Sequence, residues 1–262
     1  MRLDKTSPVP LYYQLAEMLR ERIESGALKP GDQLPSEREL GEQHGISRMT
    51  VRQAITYLAQ KGTLIIRPGV GTFVAEPKLT YDALHLLGFT EEMMAQGRVV
   101  SSRVLEQEIV TPPAAIGAKL GLVPNAKTVK IVRLRLEGET PLLLETIHIS
   151  AALCPRLEKQ DLARNSLYSL LENKYDIVLK RARQTFEATT ANEYESNLFG
   201  IELNTPMILL DGVTFSTDDI PVECFKAVYR GDRFKFEMES QRSVWLNDLA
   251  AAPRISIVLA SE

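Results

Sequence analysis

The sequence predicts an α+β chain in two domains, a small helical one closed by a β-hairpin and a larger one built on an antiparallel sheet. Three observations carry this. Helical periodicity with clear caps runs through the first 60 residues. Two short β-prone runs around a Pro/Gly tip follow it. Beyond residue 82, strand-like runs alternate with short helical patches, and several neighbours are joined by tight turns. With 262 residues the chain has room for two domains of about 100–150 residues each.

The first helix spans Leu11 to Ser25, where Leu11, Leu15, Met18, Leu19 and Ile23 make an apolar stripe and Gly26 ends it. LKPGDQLP is a turn-rich connection. Ser36 and Glu39 then form a capping box that opens a short helix with Leu40 facing inward. Gly45 breaks that helix, and Ser47 caps the next one. Its inner stripe is Val51, Ala54, Ile55 and Leu58, and Gly62 stops it. Two short helices around a glycine turn make a helix-turn-helix. Leu64–Ile66 and Thr72–Val74, separated by Arg67-Pro68-Gly69-Val70-Gly71, add a wing. The resulting division is a winged helix-turn-helix over 1–75, a linker over 76–82, a second domain over 83–246 and a C-terminal tail over 247–262.

In the second domain strands are expected at Val99–Thr111, Val129–Glu137, Leu142–Ile149, Val178–Thr190, Met207–Phe215, Val222–Tyr229 and Phe234–Gln241. Helices are expected near Glu91–Gln96, Ala114–Leu120, Ser166–Tyr175 and Ala191–Gly200. Turns such as Gly138-Glu139-Thr140-Pro141 and Asp218-Asp219-Ile220-Pro221 link neighbouring strands directly, which favours antiparallel pairing.

The formal net charge is -3, so the chain is not basic throughout. Its distribution matters more. No acidic residue lies between Glu42 and Glu76, while Arg48, Arg52, Lys61 and Arg67 fall inside that window, a strip suited to a polyanion. Met1 to Pro10 hold no apolar signal-peptide core, and no apolar run approaches the roughly 18 residues of a membrane span. Cys154 and Cys224 stand apart, as do His44, His85 and His148, so neither a metal site nor a cofactor is expected and a reducing cytoplasm is the simplest location.

A recognition helix presents donors near its N-terminus, and here Ser47, Arg48, Thr50 and Arg52 fill the first two turns. Arg48 and Arg52 are four apart and share a face. Either can grip a guanine with two hydrogen bonds, and Thr50 suits a phosphate or a thymine methyl. Arg38 is placed to reach the backbone at the groove edge, and Gly69 at the wing tip allows close approach to it. Over Ser7 to Val74 the sequence resembles the GntR family of bacterial repressors almost end to end. The blocks PGDQLPSEREL and SRMTVRQA carry the likeness, with Met49 standing where many relatives have a small or hydroxyl residue. The resemblance implies that Arg38, Arg48, Thr50, Arg52 and Gly69 touch double-stranded operator DNA, bound by a homodimer.

Leu79 to Leu246 resembles the UTRA effector-binding domain of the HutC branch of that family, whose fold is similar to chorismate lyase. Within the branch the likeness is greatest to N-acetylglucosamine utilisation repressors, through Gly88–Met93, Arg133–Arg135, Glu145, Ser166–Tyr168 and Glu223–Tyr229. The residue chemistry points the same way. Arg133 and Arg135, two apart on a strand, share one face, while Val132, Leu134 and Leu136 face a core. Two adjacent guanidiniums repel unless an anion lies between them, and phosphate accepts their paired donors. Phe89 and Thr90 at one helix start and Ser166 and Tyr168 at another complete a phosphate site. Glu145, Glu223 and Tyr229 are placed to hold a sugar. The implied effector is N-acetylglucosamine-6-phosphate or glucosamine-6-phosphate, with other phosphates, phosphonates or carboxylates as the alternative. An enzyme, suggested only by the lyase-like fold, lacks a nucleophile motif, a cofactor loop and a metal cluster here.

Overall fold

The computed structural model describes residues 3–82 and 85–239. In chain order the elements are α1 Leu11–Glu24, α2 Glu37–His44, α3 Arg48–Gln60, β1 Leu64–Arg67, β2 Gly71–Val74, β3 Leu79–Asp82, α4 Phe89–Ala95, β4 Ser101–Val110, α5 Ala114–Lys119, β5 Thr128–Glu137, β6 Thr140–Ser150, α6 Leu167–Tyr175, β7 Leu179–Thr190, α7 Glu193–Phe199, β8 Pro206–Ser216, β9 Pro221–Arg230 and β10 Phe234–Glu237.

Local chemistry sets the first three helices. Ser36 Oγ accepts from the Glu39 amide at 3.3 Å while Glu39 Oε2 accepts from the Ser36 amide at 2.8 Å, so α2 starts on a reciprocal cap. Gly45 takes φ +62°, a left-handed conformation that ends α2 and turns the chain toward α3. Ser47 Oγ then accepts from the Thr50 amide at 3.1 Å. The apolar stripes of α1 and α3 meet in a core of Leu15, Leu19, Leu40, Val51, Ile55 and Leu58. The wing strands β1 and β2 pair antiparallel and add Leu64 and Val74 to that core.

The second domain is a six-stranded sheet in the order β4-β5-β6-β9-β8-β7, antiparallel at every step. Its strands follow the expected runs to within two residues, except that β10 stops at Glu237; residues 240–241 of that expected strand, and the tail, lie outside the described residues. One face buries Val132, Leu134, Leu136, Leu144 and Val228 together with Phe199 of α7. The opposite face is divided. Val129, Ile131 and Ile149 pack with Leu167 and Leu171 of α6, whereas Leu210, Ala227 and Tyr229 pack with Phe89 and Met93 of α4. Between those two apolar clusters this face carries the buried Arg133, Arg135, Glu145 and Glu223.

The linker expected over 76–82 requires correction. Leu79–Asp82 is the strand β3, paired in parallel with β10, and Leu79 and Tyr81 are buried. The run LTYD alternates inward and outward, a period-two signal obscured by the proline and charges just before it. Residues 75–78, without regular secondary structure, join wing and strand.

Candidate functional site

A cavity of about 70 Å³, room for a few water molecules, opens between the α4 and α6 ends of the sheet. All nine residues expected to hold an effector line it: Phe89, Thr90, Arg133, Arg135, Glu145, Ser166, Tyr168, Glu223 and Tyr229.

The arginines are not at an exposed sheet edge. They lie on the interior strand β5 with only 2% and 3% of their surfaces accessible. Both meet one carboxylate oxygen, Glu145 Oε1, at 2.6 Å from Arg133 Nε and 3.1 Å from Arg135 Nη1. The Arg133 Nε–H is not aimed at that oxygen, so the contact is ionic and the Nε lacks a hydrogen-bond partner, as does Arg135 Nε. Register explains the meeting. Residues pair as Leu136–Pro141 but Arg135–Leu143, so a bulge at Leu142 shifts β6 by one residue and places Glu145 opposite Arg133. Without the bulge Glu145 would oppose Val132 and face the apolar side.

Burial pushes the Glu145 carboxyl upward, but Arg133 and Arg135 outweigh it and hold it below the usual carboxylate range. Burial also lowers Arg133, against the pull of Glu145, although a guanidinium stays charged. Arg135 further donates from Nη2 to Thr90 Oγ1 at 2.6 Å and lies over the Phe89 ring at 4.8 Å, fixing the start of α4 to the sheet.

Glu223 behaves differently. Its Oε1 accepts from the Tyr168 hydroxyl at 2.6 Å and the Thr214 hydroxyl at 2.8 Å, while its buried Oε2 has no partner. Burial holds it above the usual carboxylate range in spite of those two donors. Tyr168 therefore sits with Glu223 rather than with the arginines, and Glu145 sits with the arginines. Burial and then Glu223 raise the Tyr168 phenol well above its usual value. Ser166 caps α6 through the Ser169 amide and donates to Glu91 Oε1 at 3.1 Å, and Glu91 Oε2 accepts from the Gly88 amide at 3.1 Å. Glu91 thus ties the two helix starts together. Tyr229 packs edge-on against Tyr81 and Phe234.

On the first domain, Arg38, Arg48 and Arg52 are exposed, and Gly69 takes φ +74° at an open wing tip. Arg38 lies 3.8 Å from Glu42. Thr50 Oγ1 and Ser47 Oγ lie 2.9 Å apart. Arg48 and Arg52 share Glu37: Oε2 accepts from Arg48 Nε at 2.7 Å and Arg52 Nη2 at 2.8 Å, and Oε1 from Arg52 Nε at 2.9 Å. Arg52 above all, with Arg48, pulls the Glu37 carboxyl down to about 2.

Sequence reasoning overlooked Glu37, Tyr81, Glu91 and Thr214. Glu37 stood inside the quoted PSER block, where the capping box drew attention to its neighbours. Thr214 was legible as a hydroxyl in a largely apolar strand that also holds Asp211 and Ser216.

Residues 11–74 match the bacterial regulatory proteins of the gntR family, and residues 95–235 match the UTRA domain. This chain belongs to the GntR family. It is a transcriptional repressor of the GntR/HutC type and not an enzyme. Across 236 residues this GntR protein is 38% identical to the HTH-type transcriptional repressor NagR of Bacillus subtilis, covering 90% of this chain and 97% of that one. It is 31% identical to the mannosyl-D-glycerate transport/metabolism system repressor MngR of Escherichia coli, over 89% of this chain and 97% of that one. The crystal structure of PhnF from Mycobacterium smegmatis superposes with a TM-score of 0.61 at 29% identity, covering 88% of this chain and 99% of that one. That likeness extends over both domains. Among the described residues no helix is long and apolar enough to cross a membrane.

Proposed function

We propose that this repressor senses a phosphorylated amino sugar, N-acetylglucosamine-6-phosphate or glucosamine-6-phosphate, in the cavity between α4 and α6. Occupancy then controls how a homodimer grips operator DNA through Arg38, Ser47, Arg48, Thr50, Arg52 and Gly69.

One observation supports the anion most directly: two buried guanidiniums share a single carboxylate oxygen. Among the described residues the other carboxylate lining the cavity is Glu223, which burial holds above the usual carboxylate range and which pairs with Tyr168 and Thr214 rather than with the arginines. The two buried guanidiniums thus share one carboxylate oxygen, and a bound anion would complete their pairing. Phosphate would meet Thr90, Arg133, Arg135 and Ser166 beside Phe89. The sugar would lie toward Glu223 and Tyr229, with Glu145 orienting the arginines and Tyr168 orienting Glu223. The amino-sugar identity is supported by the likeness to N-acetylglucosamine utilisation repressors. The starts of α4 and α6 flank the cavity, Tyr81 of β3 lines it, and β3 follows the wing through residues 75–78. A ligand shifts a two-state equilibrium only by its difference in affinity for the two states.

The test is a thermal-shift screen of the whole chain against amino-sugar 6-phosphates, other hexose phosphates, phosphonates, urocanate and inorganic phosphate, followed by operator binding with each hit. A ligand at 100 times its Kd stabilises the fold by about 2.7 kcal/mol. A response confined to amino-sugar 6-phosphates, with operator release, is the expected result. A response to another anion alone keeps the anion site and rejects the sugar; no response to any anion rejects the site.

A further inference from the structure

Arg48 and Arg52 are one helical turn apart on α3, with side chains 67% and 49% accessible, yet neither side chain is free. Glu37, the first residue of α2, holds both through three hydrogen bonds of 2.7–2.9 Å. The donors spent are informative. Arg48 gives only its Nε, keeping both terminal nitrogens, and Arg52 gives Nε and the inner side of Nη2, keeping Nη1 and the outer hydrogen of Nη2. The end-on pair of hydrogens that a guanine O6 and N7 require thus remains open on each arginine. An ion pair this exposed adds little to folding stability, so its main consequence lies in where the two guanidiniums point.

We propose that Glu37 is a positioning residue for operator recognition: it fixes Arg48 and Arg52 in a base-reading orientation before DNA arrives and offsets the charge they offer to any phosphate. This rests on the reading that Arg48 and Arg52 meet DNA. Two consequences follow from the charge and geometry. Specific binding gains because the arginines need not be ordered on contact. Non-specific binding loses because two cations four residues apart present a net charge of only one to the phosphate backbone. Glu37 therefore raises the ratio of specific to non-specific affinity from both sides.

The experiment measures binding of the full-length protein to an operator duplex, selected from random sequence with the wild-type chain, and to a scrambled duplex across a salt series. Glu37→Gln keeps the side-chain length and removes the charge. It is expected to weaken operator binding about tenfold, the scale of one bidentate base contact. It should strengthen binding to the scrambled duplex and steepen that salt slope by about one. Glu37→Asp keeps the charge on a shorter arm, so its salt slope stays at the wild-type value while operator affinity is only partly restored. An unchanged affinity ratio in Glu37→Gln, with or without a lower melting temperature, overturns the proposal and leaves Glu37 a structural residue. Arg48→Ala and Arg52→Ala separate the two failures. If both bind operator like wild type, the underlying reading of the recognition helix is wrong; if both lose it while Glu37→Gln keeps the wild-type ratio, only the positioning role is wrong.

Discussion

Tyr168 donates its hydroxyl hydrogen to Glu223 Oε1 across 2.6 Å, joining α6 to β9 inside the cavity. Thr214 donates to the same oxygen from the adjacent strand β8 at 2.8 Å. Tyr168→Phe leaves Glu223 with Thr214 alone in a buried position. Losing a buried hydrogen bond to a carboxyl group costs about 1–3 kcal/mol, which denaturant unfolding would resolve. An unfolding midpoint equal to wild type would show that the bond contributes nothing in solution.

Glu145 is the counter-ion on which the buried arginines depend. Glu145→Ala leaves two guanidiniums without it and is expected to destabilise the protein by about 3–5 kcal/mol. The triple substitution Arg133→Met, Arg135→Met, Glu145→Leu should recover most of that loss, because the desolvation cost disappears along with the attraction. Urea unfolding of the two variants decides this. A triple variant no more stable than Glu145→Ala would mean that packing, rather than charge, dominates the site.

These two cases mark the limits of what the sequence conveyed. Arg133 and Arg135 were legible as a pair because the pleat puts alternate residues on one face, and the apolar residues between them identified the other. Their meeting with Glu145 was not legible. It depends on a bulge at Leu142 that shifts β6 by one position, and a one-residue slip would move Glu145 to the opposite face. Tyr81 was missed for a related reason: β3 is four residues long and its partner β10 lies over 150 residues later, so no local pattern announces the pairing. Arg48 and Arg52 were recognised from their helical spacing, their place at the start of a helix and the family resemblance around them. Glu37 reaches them only through the angle between α2 and α3, which is set by tertiary packing of Leu40, Val51 and Ile55.

Glu223 gives a pH dependence of opposite sign to that of an ordinary paired carboxylate. Its folded-state pKa is raised by burial above the usual 4.5. The folded protein therefore holds this proton more tightly than the unfolded chain, and stability declines as pH rises from about 4.5 through the folded value. Glu223→Gln cannot ionise, and its amide oxygen can still accept from Tyr168 and Thr214. The variant should melt above wild type at pH 8, and the gap should close below the unfolded value. Melting curves between pH 4 and pH 8 test this; a variant less stable than wild type at pH 8 would show that the arginines keep Glu223 ionised at little cost.

Glu37 supplies the opposite limb. Arg52 and Arg48 hold its carboxyl at about 2 in the folded state against 4.5 in the free side chain. A depressed carboxylate contributes stability that is fully present above the unfolded value and is lost as pH falls from 4.5 toward about 2. Because the pair is largely solvated, the contribution is about 1 kcal/mol or less. Glu37→Gln should remove this part of the acid sensitivity, so wild type and variant converge in stability at the acid end and separate above pH 5. Urea midpoints of both proteins at pH 3 and pH 6 provide the comparison. A difference between them that is the same at both pH values would place the effect of Glu37 in packing instead of in its ionisation.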